Sequence, residues 1–202
     1  MHTPLARELK IAADLAEPFC ALCGRQTREF RLVRRQLMRL MFARGAGQAY
    51  ALIDGARWPG LPDWLAQRGL DHRPLFALDS DEDLLAMSPR LVRLPDEDAY
   101  MAVFQEIWGG SHGLFLCSTA GLETQCSALA ALVYAEMPDG EISIFRFWDP
   151  RVMDRFVGLM TPAQASALFA GGLTRIFYEG PGGSLRDHAA PQTGMAIERE
   201  AV

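Results

Sequence analysis

Ile142-Ser-Ile-Phe-Arg-Phe-Trp-Asp-Pro-Arg-Val152 constrains the fold more than any other stretch of this chain. Its first half, from Ile142 to Trp148, is β-branched or aromatic almost throughout, the composition of a strand buried on both faces. The chemistry then changes within one residue. The Asp149 carboxylate can accept from backbone N–H groups as a helix cap, and Pro150 suits a first helical position, where no N–H is needed. Val152, Phe156 and Leu159/Met160 follow at helical spacing. The stretch reads as a buried strand that turns sharply into a helix, with Arg146, Asp149 and Arg151 gathered at the corner.

Strand-like and helix-like segments alternate along the rest of the chain. A helix is expected from about Thr27 to Ala43, with Phe30, Val33, Leu37 and Leu40/Met41 on one face, and a shorter one over residues 4–16. Tyr50–Asp54, Arg73–Ala77, Arg90–Leu94, Gly113–Cys117 and Leu173–Tyr178 read as strands. Tyr100, Val103, Phe104, Ile107 and Trp108 mark an amphipathic helix behind Asp96–Asp98. Thr161-Pro162-Ala163-Gln164 is a capping box with proline at its first helical position. Strands interleaved with helices predict an α/β fold: a three-layer domain around a mixed sheet of about five or six strands.

Charge divides the chain. Residues 1–48 hold nine Lys+Arg against four Asp+Glu, whereas residues 49–202 hold eleven against twenty-one. A basic head on an acidic body predicts docking on something acidic. The expected organisation is a basic helical extension over 1–47, an α/β domain over 48–180 and a flexible tail over 181–202. Arg28, Arg31, Arg35 and Arg39 line one face of the first long helix and are the candidates for binding a partner. No aromatic residues interleave with them, which argues against nucleic acid. No apolar run approaches the ~18 residues of a membrane span and Met1–Glu17 lacks a signal-peptide core, so the expected compartment is the cytoplasm, with no membrane partner.

Catalytic and metal signatures are weak. Cys20-x-x-Cys23 has no second pair and no nearby histidines, and a structural zinc site needs four ligands. Cys117 and Cys126 fall on apolar patterns and read as core. No metal or cofactor is expected. Asp54 and Asp149 both stand where a strand runs out, each with an arginine close behind, Arg57 and Arg151. Two such carboxylates could serve acid–base chemistry, as in a small hydrolase. The stronger reading is structural: a turn aspartate before Gly55 and a helix cap before Pro150. His112 and Cys117 cannot form a base–nucleophile pair, because on an extended segment they lie roughly 16 Å apart on opposite faces.

Four motifs carry a resemblance. Tyr50-Ala-Leu-Ile-Asp-Gly-Ala-Arg57, Arg73-Pro-Leu-Phe-Ala77, Trp108-Gly-x-Ser-x-Gly-Leu-Phe-Leu116 and Phe145-Arg-Phe-Trp-Asp-Pro-Arg-Val152 occur in order and in register. Together they resemble the type VI secretion adaptor family over about residues 48–178. The resemblance implies a non-enzymatic cytoplasmic adaptor-chaperone. It would bind a toxic effector protein, usually encoded beside it, and help load it on the spike (a valine-glycine-repeat protein, with or without a PAAR tip). The family motifs map here to Asp54, Gly55, Arg57, Trp108, Arg146, Asp149, Pro150 and Arg151. The aspartates are expected to shape the corners and the arginines to pair with them or with the partner. Longer members carry a C-terminal helical lobe, so the arginine-rich head is expected to share in gripping the cargo. The readings from other classes are the hydrolase using Asp54 and Asp149 and a nucleic-acid-binding protein working through the arginine helix.

Overall fold

The computed structural model describes residues 27–77, 81–136 and 139–191. The helix expected over 4–16 and the Cys20/Cys23 pair lie outside the described residues. In chain order the elements are α1 (Arg28–Met41), β1 (Gln48–Ile53), α2 (Leu61–Gln67), β2 (His72–Pro74), α3 (Glu82–Ala86), β3 (Arg90–Leu94), α4 (Glu97–Ile107) and β4 (Gly113–Ser118). They continue with α5 (Leu122–Ala130), β5 (Tyr134–Glu136), β6 (Ile142–Ile144), α6 (Pro150–Val157), α7 (Pro162–Leu168), β7 (Leu173–Glu179) and β8 (Leu185–Ala189).

Helix starts follow local chemistry. Thr27 Oγ1 accepts from Phe30 N at α1, and Asp96 Oδ1 accepts from Ala99 N at α4. At α7 the capping box closes in both directions between Thr161 and Gln164. Each side chain satisfies a backbone donor that the first helical turn leaves without an internal acceptor.

Six strands form one sheet in the order β2-β3-β1-β4-β7-β8. The period of two along β1 divides its side chains cleanly. Ala49, Ala51 and Ile53 join Val92, Leu94, Phe115, Cys117 and Phe177 on one face, against α1, α2 and α4. Tyr50 and Leu52 join Leu91, Leu114, Leu116 and Ile176 on the other, against α5, α6 and α7. The result is an α/β fold of three layers, as the alternation of segments predicts. The sheet is not mixed, however: every strand pairing is antiparallel. Strand direction depends on how each connection crosses the sheet, and no residue pattern records that. No helix among the described residues is long and apolar enough to cross a membrane.

Three segments depart from expectation. Ile142–Trp148 is not a central strand. Only Ile142–Ile144 is extended, it pairs with β5 in a separate two-stranded ribbon, and its side chains are exposed. Burial begins beyond it, at Phe147 and Trp148. There the chain turns tightly, with Phe147 N donating to Phe145 O at 2.9 Å. Aromatic composition reports burial, and a packed turn is as buried as a strand. Secondly, α6 stops at Val157; its fully buried residue is Met153, and Leu159 is 83% exposed. Thirdly, the segment read as a flexible tail from residue 181 contains β8, which pairs with β7 from Arg175↔Ala189 to Glu179↔Leu185. Its charged residues, Arg186 and Asp187, are those of an edge strand rather than a loose tail. Asp187 pairs with Arg175 across the ladder, and Arg186 reaches Asp154 at 3.2 Å.

Candidate functional site

The four motifs meet at one end of the sheet and interlock. Where β1 ends, Asp54 Oδ1 accepts from Ala56 N at 3.1 Å, a bond that bends the chain into a short 3-10 turn over Gly55–Arg57. Asp54 N donates to His112 O at 2.8 Å, tying this corner to the glycine-rich loop before β4. From the last motif, Arg146 crosses to Asp54 Oδ2 at 2.6 Å. The second motif enters through Phe76. Its backbone N donates to Ser88 Oγ at 3.0 Å, and its ring meets Trp148 edge-on at 6.4 Å between centroids.

Gly55 holds the middle of this arrangement. Its backbone is not left-handed; what excludes a side chain is the Ser88 carbonyl oxygen, 2.3 Å from where a Cβ would stand. The Asp-Gly pair is therefore set by close backbone approach as much as by turn chemistry.

Asp149 caps α6. Its Oδ1 accepts from Arg151 N at 2.9 Å and Arg151 Nε at 3.0 Å, and its Oδ2 from the Arg151 guanidinium at 2.6 Å. The carboxylate is 4% exposed, as is fitting for a group this fully bonded. Burial would raise its pKa, but the hydrogen bonds and charge of Arg151, with a contribution from Arg57, hold it below the usual aspartate value. Asp54 in turn lies within the electrostatic reach of Arg151. The two corners thus share one field. Arg57 is half-buried and has no ion pair among the described residues.

A cleft of about 510 Å³ opens beside the Asp149 corner. Phe30 of α1, Trp108, and Pro150 and Arg151 of α6 form its walls, and the turn Gly180–Gly183 closes it. Trp108 ends α4 and stacks on Phe104 at 5.1 Å. Glu179, which no sequence signal singles out, sets the cleft's floor. Its Oε2 accepts from Gly109 N at 2.9 Å and Ser111 N at 3.3 Å, with Ser111 in the left-handed region at φ 52°. The carboxyl thereby pins the glycine-rich loop.

Burial pushes the Glu179 pKa up, and the two backbone donors only partly offset it. A carboxyl raised on folding stabilises fully below its unfolded pKa, and that contribution is lost as pH rises through the folded value. Glu179→Gln keeps an acceptor for both N–H groups and cannot ionise. Its melting temperature should gain on the wild type as pH is raised from about 4.5 to 7. Parallel melting curves across that range would contradict the buried-carboxyl account.

Asp54 and Asp149 spend both oxygens on partners within the chain. Cys117 and Cys126 are buried, and burial raises each thiol to about 11, so neither is a ready thiolate. Among the described residues no group of three or more His, Cys, Asp or Glu is placed to hold a metal ion.

The class is therefore an antiparallel α/β domain whose polar sheet end is a set of ion-paired corners beside an apolar cleft. Over residues 49–167 the chain matches the family described as a domain of unknown function, DUF4123, and it belongs to that family. No curated protein and no solved structure matches it.

Proposed function

We propose that this chain is a cytoplasmic adaptor of type VI secretion that binds one effector protein and helps load it on the spike. Family membership over residues 49–167 supports the reading through the four motifs that resemble those adaptors. The observation that carries it is how the motif residues are used. All four carboxylate oxygens of Asp54 and Asp149 are occupied by Ala56 N, Arg146 and Arg151. Asp54 and Asp149 are also only 1% and 4% exposed, and a general acid or base has to reach its substrate. These carboxylates hold a scaffold instead, and the protein works by binding.

The partner surface in this proposal is the outer face of α1. Arg28, Arg31, Arg35 and Arg39 are exposed there and have no ion pair among the described residues. The opposite face is anchored: Leu37 and Met41 are buried, and the Tyr100 hydroxyl donates to Arg34 O at 2.8 Å. A rigid helix showing a row of guanidinium groups suits an acidic partner surface.

Reversing the four arginines to glutamate should weaken capture of the neighbouring gene's effector by about 100-fold or more, at roughly tenfold per pair of desolvated charges, while leaving the melting temperature within a few degrees. The measurement is a pull-down with purified effector and spike, followed by effector export in a deletion strain. Unchanged effector stability and export without this protein would sink the proposal. Steeply salt-dependent DNA binding, lost on the same reversal, would replace it with a nucleic-acid role.

A further inference from the structure

Between α5 and α6 the chain leaves the main sheet and builds the β5–β6 hairpin, which no third strand joins among the described residues. A two-stranded ribbon is marginal in water by itself, and its outer edges present unpaired backbone N–H and C=O groups. On one face Tyr134 stands opposite Ile144, and Glu136 opposite Ile142. Tyr134, Ile142 and Ile144 are 56%, 73% and 46% exposed. Large apolar side chains gathered this way on a surface mark an interaction site. A groove of about 280 Å³ continues the strip between Leu132, Phe145, Phe156 and Leu168.

Charge says what kind of strand would fit. Glu136, Asp139 and Glu141 are exposed around the apolar strip and have no ion pair among the described residues. No lysine, arginine or histidine lies between Ala131 and Phe145. A second copy of this chain is a poor occupant, because it would bring the same carboxylates against these.

We infer that the β5–β6 hairpin is a strand-addition site for a partner protein, taking an extended segment in which apolar side chains alternate with lysine or arginine. The added strand completes a ribbon of three, its apolar residues cover Tyr134, Ile142 and Ile144, and its cations meet the acidic rim. The identity of that partner as effector or spike rests on the adaptor reading; the chemistry of the segment does not.

The test uses the full chain and two labelled peptides about ten residues long, one alternating valine with lysine, the other valine with glutamate. The lysine peptide should bind about tenfold more tightly, the effect of a few cross-strand charge pairs, and should slow amide exchange at Ile142–Ile144. Ile142→Asp with Ile144→Asp should abolish binding, and Glu136→Lys with Glu141→Lys should invert the preference. These side chains are exposed, so folding should survive; if the aspartate pair melts early, the lysine pair decides the matter alone. Equal affinity for both peptides, or protection only at β8, would overturn the inference. So would a wild-type dimer that the aspartate pair dissolves, since that assigns the face to a second copy. Effector and spike capture separates the two proposals. Capture by the wild type with equal affinity for both peptides removes the hairpin site and leaves the adaptor reading standing. Failure of the wild type to capture either protein, with peptide binding intact, does the reverse.

Discussion

Phe104→Ala should cost about 3–5 kcal/mol, the range for deleting a fully buried phenylalanine. Phe104 is fully buried, and its ring lies at 5.1 Å from Phe30, 5.5 Å from Tyr100, 5.1 Å from Trp108 and 5.9 Å from Phe115, between centroids. These rings come from α1, α4 and β4, so the cavity left behind sits where one helical layer meets the sheet. Collapse is hindered because each neighbour is itself held: Tyr100 by its hydroxyl, Phe115 by a strand paired on both sides. At roughly 2–4 °C per kcal/mol for a chain of this size, the melting temperature should fall by about 10 °C. Phe104→Leu, which keeps most of the volume, should lose less than half as much. The same substitution loosens Phe30 and Trp108, the two aromatic walls of the cleft. A drop of only one or two degrees for the alanine variant would mean that this cluster is not the packing centre of its layer.

Gly55→Ala should be nearly as damaging, at about 3 kcal/mol, the upper part of the range for overpacking a core. The new Cβ would stand 2.3 Å from Ser88 O and 3.1 Å from Met87 C, both backbone atoms. A flexible side chain could swing away, but here a segment of chain has to move. Ser88 Oγ accepts from Phe76 N, and the Phe76 ring packs on Trp148, next to Asp149. The displacement is thus passed to the second corner. Gly121→Ala supplies the control. That glycine caps α5 with ordinary dihedrals and open space around it, so the change should cost only about 0.5–1 kcal/mol, the loss of a good capping residue. Equal melting temperatures for Gly55→Ala and Gly121→Ala would show that the Ser88 segment gives way without cost.

Helix starts are written locally in this chain. Thr27, Asp96, Asp149 and Thr161 start helices by bonding donors two or three residues ahead. Such a bond depends on nothing but the neighbouring residues, so its signature survives in the linear chain. The amphipathic period of α1 likewise placed Leu37 and Met41 inside and the arginines outside. The partners of the corner residues were a different matter. Arg146 finds Asp54 across 92 positions, and Glu179 finds the Gly109 turn across 70. Both contacts exist only because particular sheet neighbours bring those loops together.

Sequence by itself determined where the helices at Thr27, Asp96, Asp149 and Thr161 start, which face of α1 is buried, and the residues that make the corners. Tertiary structure alone decided that every strand runs antiparallel to its neighbours, that Ile142–Ile144 stands outside the main sheet as an exposed ribbon, and that Leu185–Ala189 closes the sheet as β8. The physical reason is range. Caps and amphipathic periods are settled within a turn or two of chain, whereas strand direction, strand membership and long-range ion pairs depend on which distant segments the fold sets side by side.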